Sequence, residues 1–422
     1  WAQSPIPNPQ SPNPNPQLIL LCLIFQNFLY LFYLKKYIKM VDNQKLFEKY
    51  KLNNNIEVPG RIAVPPLSIY GADDSGKITD EERLYLKNRA TGIGLYILGA
   101  SAVSVEGIGI KGQPRALSED DIPSLAERAK IVKDQGSLAI CQIVHAGLFG
   151  NKSYSGKSPL SPSAEVSNKE LEKMGLLNDD TRNNDLTNDD ILRIIKEFAY
   201  ATELSIKAGY DGIEIHAANN FLIQQFYSGY YNKRTDEWGG SLEKRMRFPL
   251  EVVDACCKIR DKYNKPEFII GYRLSPEEPF ENGITMTETL ALVRALVKKP
   301  IQYIHVSQKS YFQNARRGEG AGNPRLKLIH DEIKGRMALV GVGGLKTDKD
   351  FNKALNSGYT EFIGIGRANM INRDLGPLLK EGNGDKLELE IDPDHPEKYD
   401  FPKNLWNMCA QGIDWLPHMK KK

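Results

Sequence analysis

Cysteine is scarce in this 422-residue chain: Cys22, Cys141, Cys256, Cys257 and Cys409 are all it has. No two are spaced C-x-x-C, so the ligand patterns of zinc sites and iron–sulfur clusters are missing, and no metal is expected. So few thiols fit a reducing compartment, and a cytoplasmic location is the expectation. An excess of one charge is lacking too. The formal net charge is +3, and Lys35, Lys36 and Lys39 supply it, with no acid among the first 39 residues. A neutral remainder without a basic stripe argues against nucleic acid as a partner. Long apolar runs are absent apart from Leu18 to Leu34, which Gln26 and Asn27 interrupt. At 17 residues it sits at the lower limit for a membrane span. It follows a Pro/Asn/Gln/Ser tract over residues 1–17 that is expected to be disordered. One reading is a signal anchor with its lysines on the cytoplasmic side. The other, favoured here, is that residues 1–39 are not native, because the chain opens on Trp1 and Met40 starts a soluble-looking sequence. A membrane partner is expected only if residues 18–34 are a true anchor.

What is present is alternation. From Gly60 onward, short β-rich runs (Arg61–Val64, Gly94–Ala102, Leu138–His145, Gly212–His216, Phe268–Leu274, Tyr303–Ser307, Ala338–Val342 and Glu361–Ile365) take turns with helical patterns near 81–91, 122–135, 188–208, 242–262, 286–298, 325–334, 348–357 and 374–380. Eight strand–helix alternations predict an α/β protein of the (β/α)8 TIM-barrel class, with a doubly wound sheet as the lesser alternative. The expected organisation is one barrel domain over 40–385, after the extension of 1–39 and before a tail of 386–422. In the fourth unit, Thr187 can cap a helix with Asp189 and Asp190 in its first turn, and Ile191, Ile194, Ile195 and Phe198 recur at helical spacing. The following strand sends Ile213 and Ile215 one way, and Glu214 and His216 the other. His216 then falls at the strand's C-terminal mouth, where such barrels place their chemistry. The stretch from Asn151 to Leu186 is long and polar, which predicts a functional lid or mobile loop after the third strand.

His216 and Asn219 lie in the run His-Ala-Ala-Asn. Two neutral donors a few residues apart can grip one carbonyl or nitro oxygen and stabilise the negative charge that develops there. A lone histidine at a strand end is more often a satisfied core residue, so the surroundings carry the weight. The run IEIHAANNFLIQQF followed by NKRTDEWGGSLEKRMRF closely resembles the signature of the Old Yellow Enzyme family of flavin oxidoreductases. VPPLSIYG, GASAV, CQIVHAG, YRLS, VGVGG and IGIGR agree in order and spacing, so the resemblance covers roughly residues 45 to 385.

That resemblance implies bound FMN and NADH or NADPH as hydride donor. Pro65, Pro66, Leu67 and Ser68 would line the flavin, with Ser68 near its O4–N5 edge, and Ala100 would pack beside the ring. Gln142, an inward amide in need of a partner, suits the flavin's pyrimidine edge. Arg273 would stabilise an anionic reduced flavin, although it also suits pairing with Glu214 inside the barrel. Gly343, Gly344, Gly366 and Arg367 fall where β/α barrels bind phosphate. In one place the chain departs from the family. The tyrosine that commonly protonates the substrate carbon is replaced by Phe221, after Asn220, and Tyr70 is the first substitute donor. No cysteine cluster is present after the barrel pattern, so a chain resembling the barrel-only type is expected.

The expected function is an FMN-dependent NAD(P)H oxidoreductase passing hydride through flavin N5 to a small-molecule acceptor: an α,β-unsaturated carbonyl, a nitro compound or a quinone. The alternative is a flavin-dependent NADH oxidase or quinone reductase with weak ene-reductase activity, because of Phe221. A flavin-free phosphate-binding barrel and a non-catalytic flavin module are further rivals, and a homo-oligomer is left open.

Overall fold

The computed structural model describes residues 43–420, together with positions 17, 21, 24–26, 28 and 30. The expectations for residues 1–39 therefore lie almost wholly outside the described residues. Among the described residues, no helix is long and apolar enough to cross a membrane.

Eight parallel strands close on themselves: β1 (Ile62–Val64), β2 (Leu95–Ala102), β3 (Leu138–Val144), β4 (Gly212–Ala217), β5 (Ile269–Leu274), β6 (Tyr303–Val306), β7 (Ala338–Val342) and β8 (Phe362–Gly364). Closure comes from Ile363 pairing with Ile62. Helices α1 (Asp80–Leu86), α2 (Ile122–Lys133), α3 (Asn188–Lys207), α4 (Leu242–Lys262), α5 (Met286–Leu296), α6 (Arg325–Ile333), α7 (Asp348–Asn356) and α8 (Leu375–Lys380) follow the strands in turn. The architecture is the expected (β/α)8 barrel.

Period-two alternation sorts the side chains. Ile213 and Ile215 join the layer between strands and helices. Inward residues such as Ile97, Ile140, Ile269, Tyr303, Val340 and Phe362 fill the lower barrel, where Leu52 and Val58 from the hairpin Tyr50–Lys51/Glu57–Val58 pack against them. One inward position must be glycine for Tyr303 to fit. A Cβ on Gly271 would lie 2.1 Å from the Tyr303 ring. The cap on α3 forms as the sequence suggests: Thr187 Oγ1 accepts from the Asp190 N–H at 3.1 Å, and the Asp190 carboxylate accepts from the Thr187 N–H at 3.1 Å.

Two expectations need correction. The first helix stops at Leu86 instead of running to 91, because Asn88 turns left-handed (φ 70°) and Arg89 swings inward. Arg89 is buried, lies over the Tyr85 ring and donates to the carbonyls of Tyr85, Met370 and Tyr399. The long segment after β3 is a built layer rather than a bare loop. It holds a helix over Ala164–Lys173 and a small parallel pair, Leu160–Ser161 with Asn184–Asp185, and Leu171 buries against Leu148 and Tyr231. Residues beyond 386 also pack on the barrel: Leu405 and Leu416 are fully buried, and the Ile391 N–H donates to the His418 carbonyl at 2.8 Å.

Candidate active site

A cleft of about 810 Å³ opens at the C-terminal ends of the strands. Pro66, Leu67, Ser68 and Tyr70 line it from the end of β1, Ala100 from β2, Gln142 from β3, His216 and Asn219 from β4 and its turn, and Arg273 from β5. Pro65 lines a smaller hollow beneath. Gly343, Gly344, Gly366 and Arg367 are not among the cleft's lining residues. Gly343 has a local reason to be glycine, since a Cβ there would lie 2.5 Å from the Ser310 backbone. Gly366 sits against Pro65 and Leu67, and Arg367 borders a small hollow with Lys346, Glu388 and His418.

The cleft floor is polar and tightly wired. Glu214 is fully buried; its carboxylate accepts from Gln142 Nε2 (2.8 Å), the Tyr303 hydroxyl (3.0 Å) and His305 Nδ1 (2.8 Å). Burial pushes its pKa up, but the His305 ring and the Arg273 guanidinium outweigh that and hold it low. The inward Gln142 amide, for which the flavin was the expected partner, also has one inside the protein in Glu214. Arg273 makes no ion pair with Glu214. Its Nη2 donates to Ser307 Oγ at 3.3 Å, while its buried Nε has no partner.

At the wall, the turn after β4 is shaped by two successive left-handed asparagines, Asn219 (φ 58°) and Asn220 (φ 61°), a conformation asparagine tolerates better than most residues. Asn220 is tied locally to the Gln224 amide: its backbone N–H donates to Gln224 Oε1, and its side-chain Oδ1 accepts from Gln224 Nε2. The His216 Nδ1 accepts from the Ala218 N–H at 3.3 Å, which leaves the ring proton on Nε2. Burial, reinforced by Arg273 and His305, holds His216 well below the usual imidazole pKa, so the ring is neutral. Asn219 Oδ1 accepts from Ser307 Oγ at 2.9 Å, which turns its NH2 donors to the remaining side. Phe221 lines the cleft and meets His216 edge to face at 4.7 Å. Tyr70 lines the same cleft in a left-handed conformation (φ 52°), with a phenol whose pKa is raised by burial.

Sequence reasoning did not single out several residues of this site. Ser307 and His305 were legible in principle, because they share the inward phase of β6 with Tyr303. Phe149, Tyr154 and Leu176 come from the segment after β3, and Trp415 from the C-terminal stretch, and all four line the cleft. No periodicity marks them.

The residues present fit FMN. A buried arginine with an unpartnered Nε and the Gln142 amide form a polar floor for a ring rich in acceptor atoms. The small residues Ser68 and Ala100 beside it leave room for that ring.

The profile of the NADH:flavin oxidoreductase / NADH oxidase family matches residues 45–386. A probable NADH-dependent flavin oxidoreductase, YqiG of Bacillus subtilis, is 34% identical over 88% of this chain and 98% of its own length. An NADH:fumarate oxidoreductase of Klebsiella pneumoniae is 32% identical over 87% of this chain, which spans only 39% of that larger protein. In structure, the fold is similar to the Old Yellow Enzyme homologue of Zymomonas mobilis, with a TM-score of 0.69 at 24% identity, covering 85% of this chain and 99% of that one. With four-fifths of its length inside the family profile, the chain belongs to the NADH:flavin oxidoreductase / NADH oxidase family, the Old Yellow Enzyme family of FMN-dependent oxidoreductases served by a reduced nicotinamide.

Proposed function

We propose that this oxidoreductase takes a neutral acceptor bearing a carbonyl, quinone or nitro oxygen, and that His216 and Asn219 hold that oxygen. The carrying observation is the wiring of the pair. The Ala218 N–H on His216 Nδ1 and the Ser307 hydroxyl on Asn219 Oδ1 each commit the atom that faces away. One N–H of each side chain is then left for a single oxygen in the cleft. Bound FMN supplies the two-electron chemistry between nicotinamide and acceptor. The chain's own part is electrostatic. Neutral donors, already oriented, stabilise charge growing on the acceptor oxygen without paying reorganisation at that moment. Arg273 at the floor favours the extra negative charge of a reduced cofactor, and Glu214 with its three donors holds the surrounding side chains in register.

Phe221 decides among acceptors. Saturating an alkene also requires a proton on carbon, and phenylalanine has none to give. Quinones and dioxygen need no carbon protonation. Positioned proton donors are typically worth about 10²–10⁴ in rate. The favoured reading is therefore a quinone or nitro reductase with slower enone turnover, in which Tyr70 is the substitute donor. Carboxylate acceptors are not favoured, because Arg273, the one charged side chain among the described lining residues, is assigned to the reduced cofactor and no second cation is left to pair with an acceptor's carboxylate. Stopped-flow reoxidation tests this. A quinone is expected to reoxidise the reduced protein faster than 2-cyclohexenone does, and Phe221→Tyr should raise the enone rate selectively. Fast enone turnover unchanged by Phe221→Tyr would overturn the reading and make Tyr70→Phe the next variant.

A further inference from the structure

The cleft has an outer half that holding an acceptor oxygen does not require. Besides His216 and Asn219, its lining includes Tyr70, Phe149, Tyr154, Leu176 and Trp415. Three of these remain exposed large hydrophobic side chains: Tyr154 at 39%, Leu176 at 50% and Trp415 at 43%. Such side chains gathered at one mouth call for something apolar to cover them.

Trp415 is the most deliberately placed. It lies against Tyr70, ring centroids 6.4 Å apart and tilted by 36°. The next residue, Leu416, is fully buried. The Ile391 N–H donates to the His418 carbonyl and the Lys420 N–H to the Ile391 carbonyl, both at 2.8 Å, pinning the strip on its far side. Further back, the buried Arg89 bonds the Tyr399 carbonyl and so ties the C-terminal stretch to the barrel. An indole held by so firm a base, yet left nearly half exposed, is a wall of the cleft rather than a loose end. The charge pattern agrees. Arg273 is the only charged side chain among the described lining residues, and it is buried on β5 in register with His216, so the exposed aromatic and aliphatic side chains carry no charge among them.

We infer that the C-terminal stretch completes the acceptor site, with Trp415 as a specificity-determining residue that selects neutral acceptors carrying an apolar extension from the held oxygen toward the cleft mouth. The inference rests on the assignment of His216 and Asn219 as the oxygen-holding pair. A para-substituted phenol places its oxygen there and directs its substituent outward, so it reads the two halves of the cleft separately. Burial of one methylene is worth about fourfold in affinity.

The test titrates the FMN-loaded protein with 4-methyl-, 4-ethyl-, 4-butyl- and 4-hexylphenol and with 4-hydroxybenzoate, following the visible flavin spectrum and tryptophan fluorescence together. Affinity is expected to climb by up to about fourfold per methylene. 4-Hydroxybenzoate, whose carboxylate would lose water without gaining a partner, should bind at least about tenfold more weakly than 4-methylphenol. Trp415→Ala should flatten the chain-length gradient and remove most of the fluorescence quenching, and Trp415→Phe should keep the gradient. An equal gradient in Trp415→Ala, no gradient in the parent protein, or tight binding of 4-hydroxybenzoate would overturn the inference. If no phenol perturbs the flavin spectrum even in the parent protein, the oxygen-holding assignment fails instead, and the two failures are thereby told apart.

Discussion

Ser307 touches two of the groups that matter most, donating to Asn219 Oδ1 and accepting from Arg273 Nη2. On the proposed assignment of Asn219 it is a positioning residue: without its hydroxyl the Asn219 amide is free to flip and present its oxygen to the cleft. Ser307→Ala should weaken 4-methylphenol binding by about three- to tenfold, the size of one hydrogen bond, while Ser307→Thr restores it. Unchanged affinity in Ser307→Ala would remove the residue from the site. His216 yields a second expectation at this scale. Its pKa lies well below 6.5, so the neutral donor form persists as pH falls through the range where a free imidazole would charge. Ligand affinity should then follow the phenol's own ionisation, with no second limb near pH 6.5. A limb there would mean that His216 titrates normally and that its wiring has been misread.

Between elements, a buried ion pair joins the first two helices of the ring. Glu82 on α1 meets Arg128 on α2 through two bonds, Nε to Oε1 at 2.7 Å and Nη2 to Oε2 at 2.8 Å, with both side chains almost fully buried. The Ser124 hydroxyl accepts from Arg128 Nη1 and the Gly76 carbonyl from Nη2, so the guanidinium is well satisfied. Removing one partner strands the other charge, and Glu82→Ala should cost about 3–5 kcal/mol of stability by urea denaturation. Replacing both with methionine should cost far less, because neither charge then needs desolvating. Equal losses in the single and double variants would show that packing, not charge, holds these helices. α1 also shows why its own end was hard to foresee. Its helical pattern runs past Leu86, and beside the left-handed Asn88 and the nearby Tyr85 carbonyl it is the distant carbonyls of Met370 and Tyr399 that hold Arg89 inward.

For the molecule as a whole, three buried imidazoles predict the response to acid. Burial depresses His145 to about 4 and also lowers His216 and His305. In the unfolded chain each returns to about 6.5. As pH falls from about 6.5, the unfolded state binds protons that the fold refuses, so stability drops, by up to about 1.4 kcal/mol per pH unit from His145 alone and until about pH 4. The lowered carboxylates Glu106 and Glu214 act in a lower window: their contribution is present above about 4.5 and is lost only below it. Between pH 7 and 5 the three histidines pull stability down, partly offset by Glu197 and Glu278, whose carboxyls burial raises so that the fold takes up their protons first. The urea midpoint of the FMN-saturated protein should fall over that range, and less steeply in His145→Gln. A flat midpoint would mean that these rings are protonated in the fold.

The barrel was legible because each strand and each helix carries its own periodicity. Ile213 and Ile215 alternate with Glu214 and His216 whatever lies around them, and Thr187 with Asp190 can cap a helix using only neighbours in sequence. The strand that delivers His216, and the turn that adds Asn219, were readable for the same local reason. What the sequence left open are relations between residues far apart along the chain. Gln142 takes Glu214 as a partner, 72 residues on, where the sequence had pointed to a cofactor alone. Ser307 orients Asn219 from the neighbouring side of the barrel, 88 residues away. Trp415 reaches Tyr70 from the far end of the chain, with no repeat or spacing to announce it. Local patterning chooses helix or strand, because its energies act over a few residues. Which side chains share a cleft is chosen by closure of the barrel and by the path of the segments that pack over it, and those contacts exist only once the chain has folded.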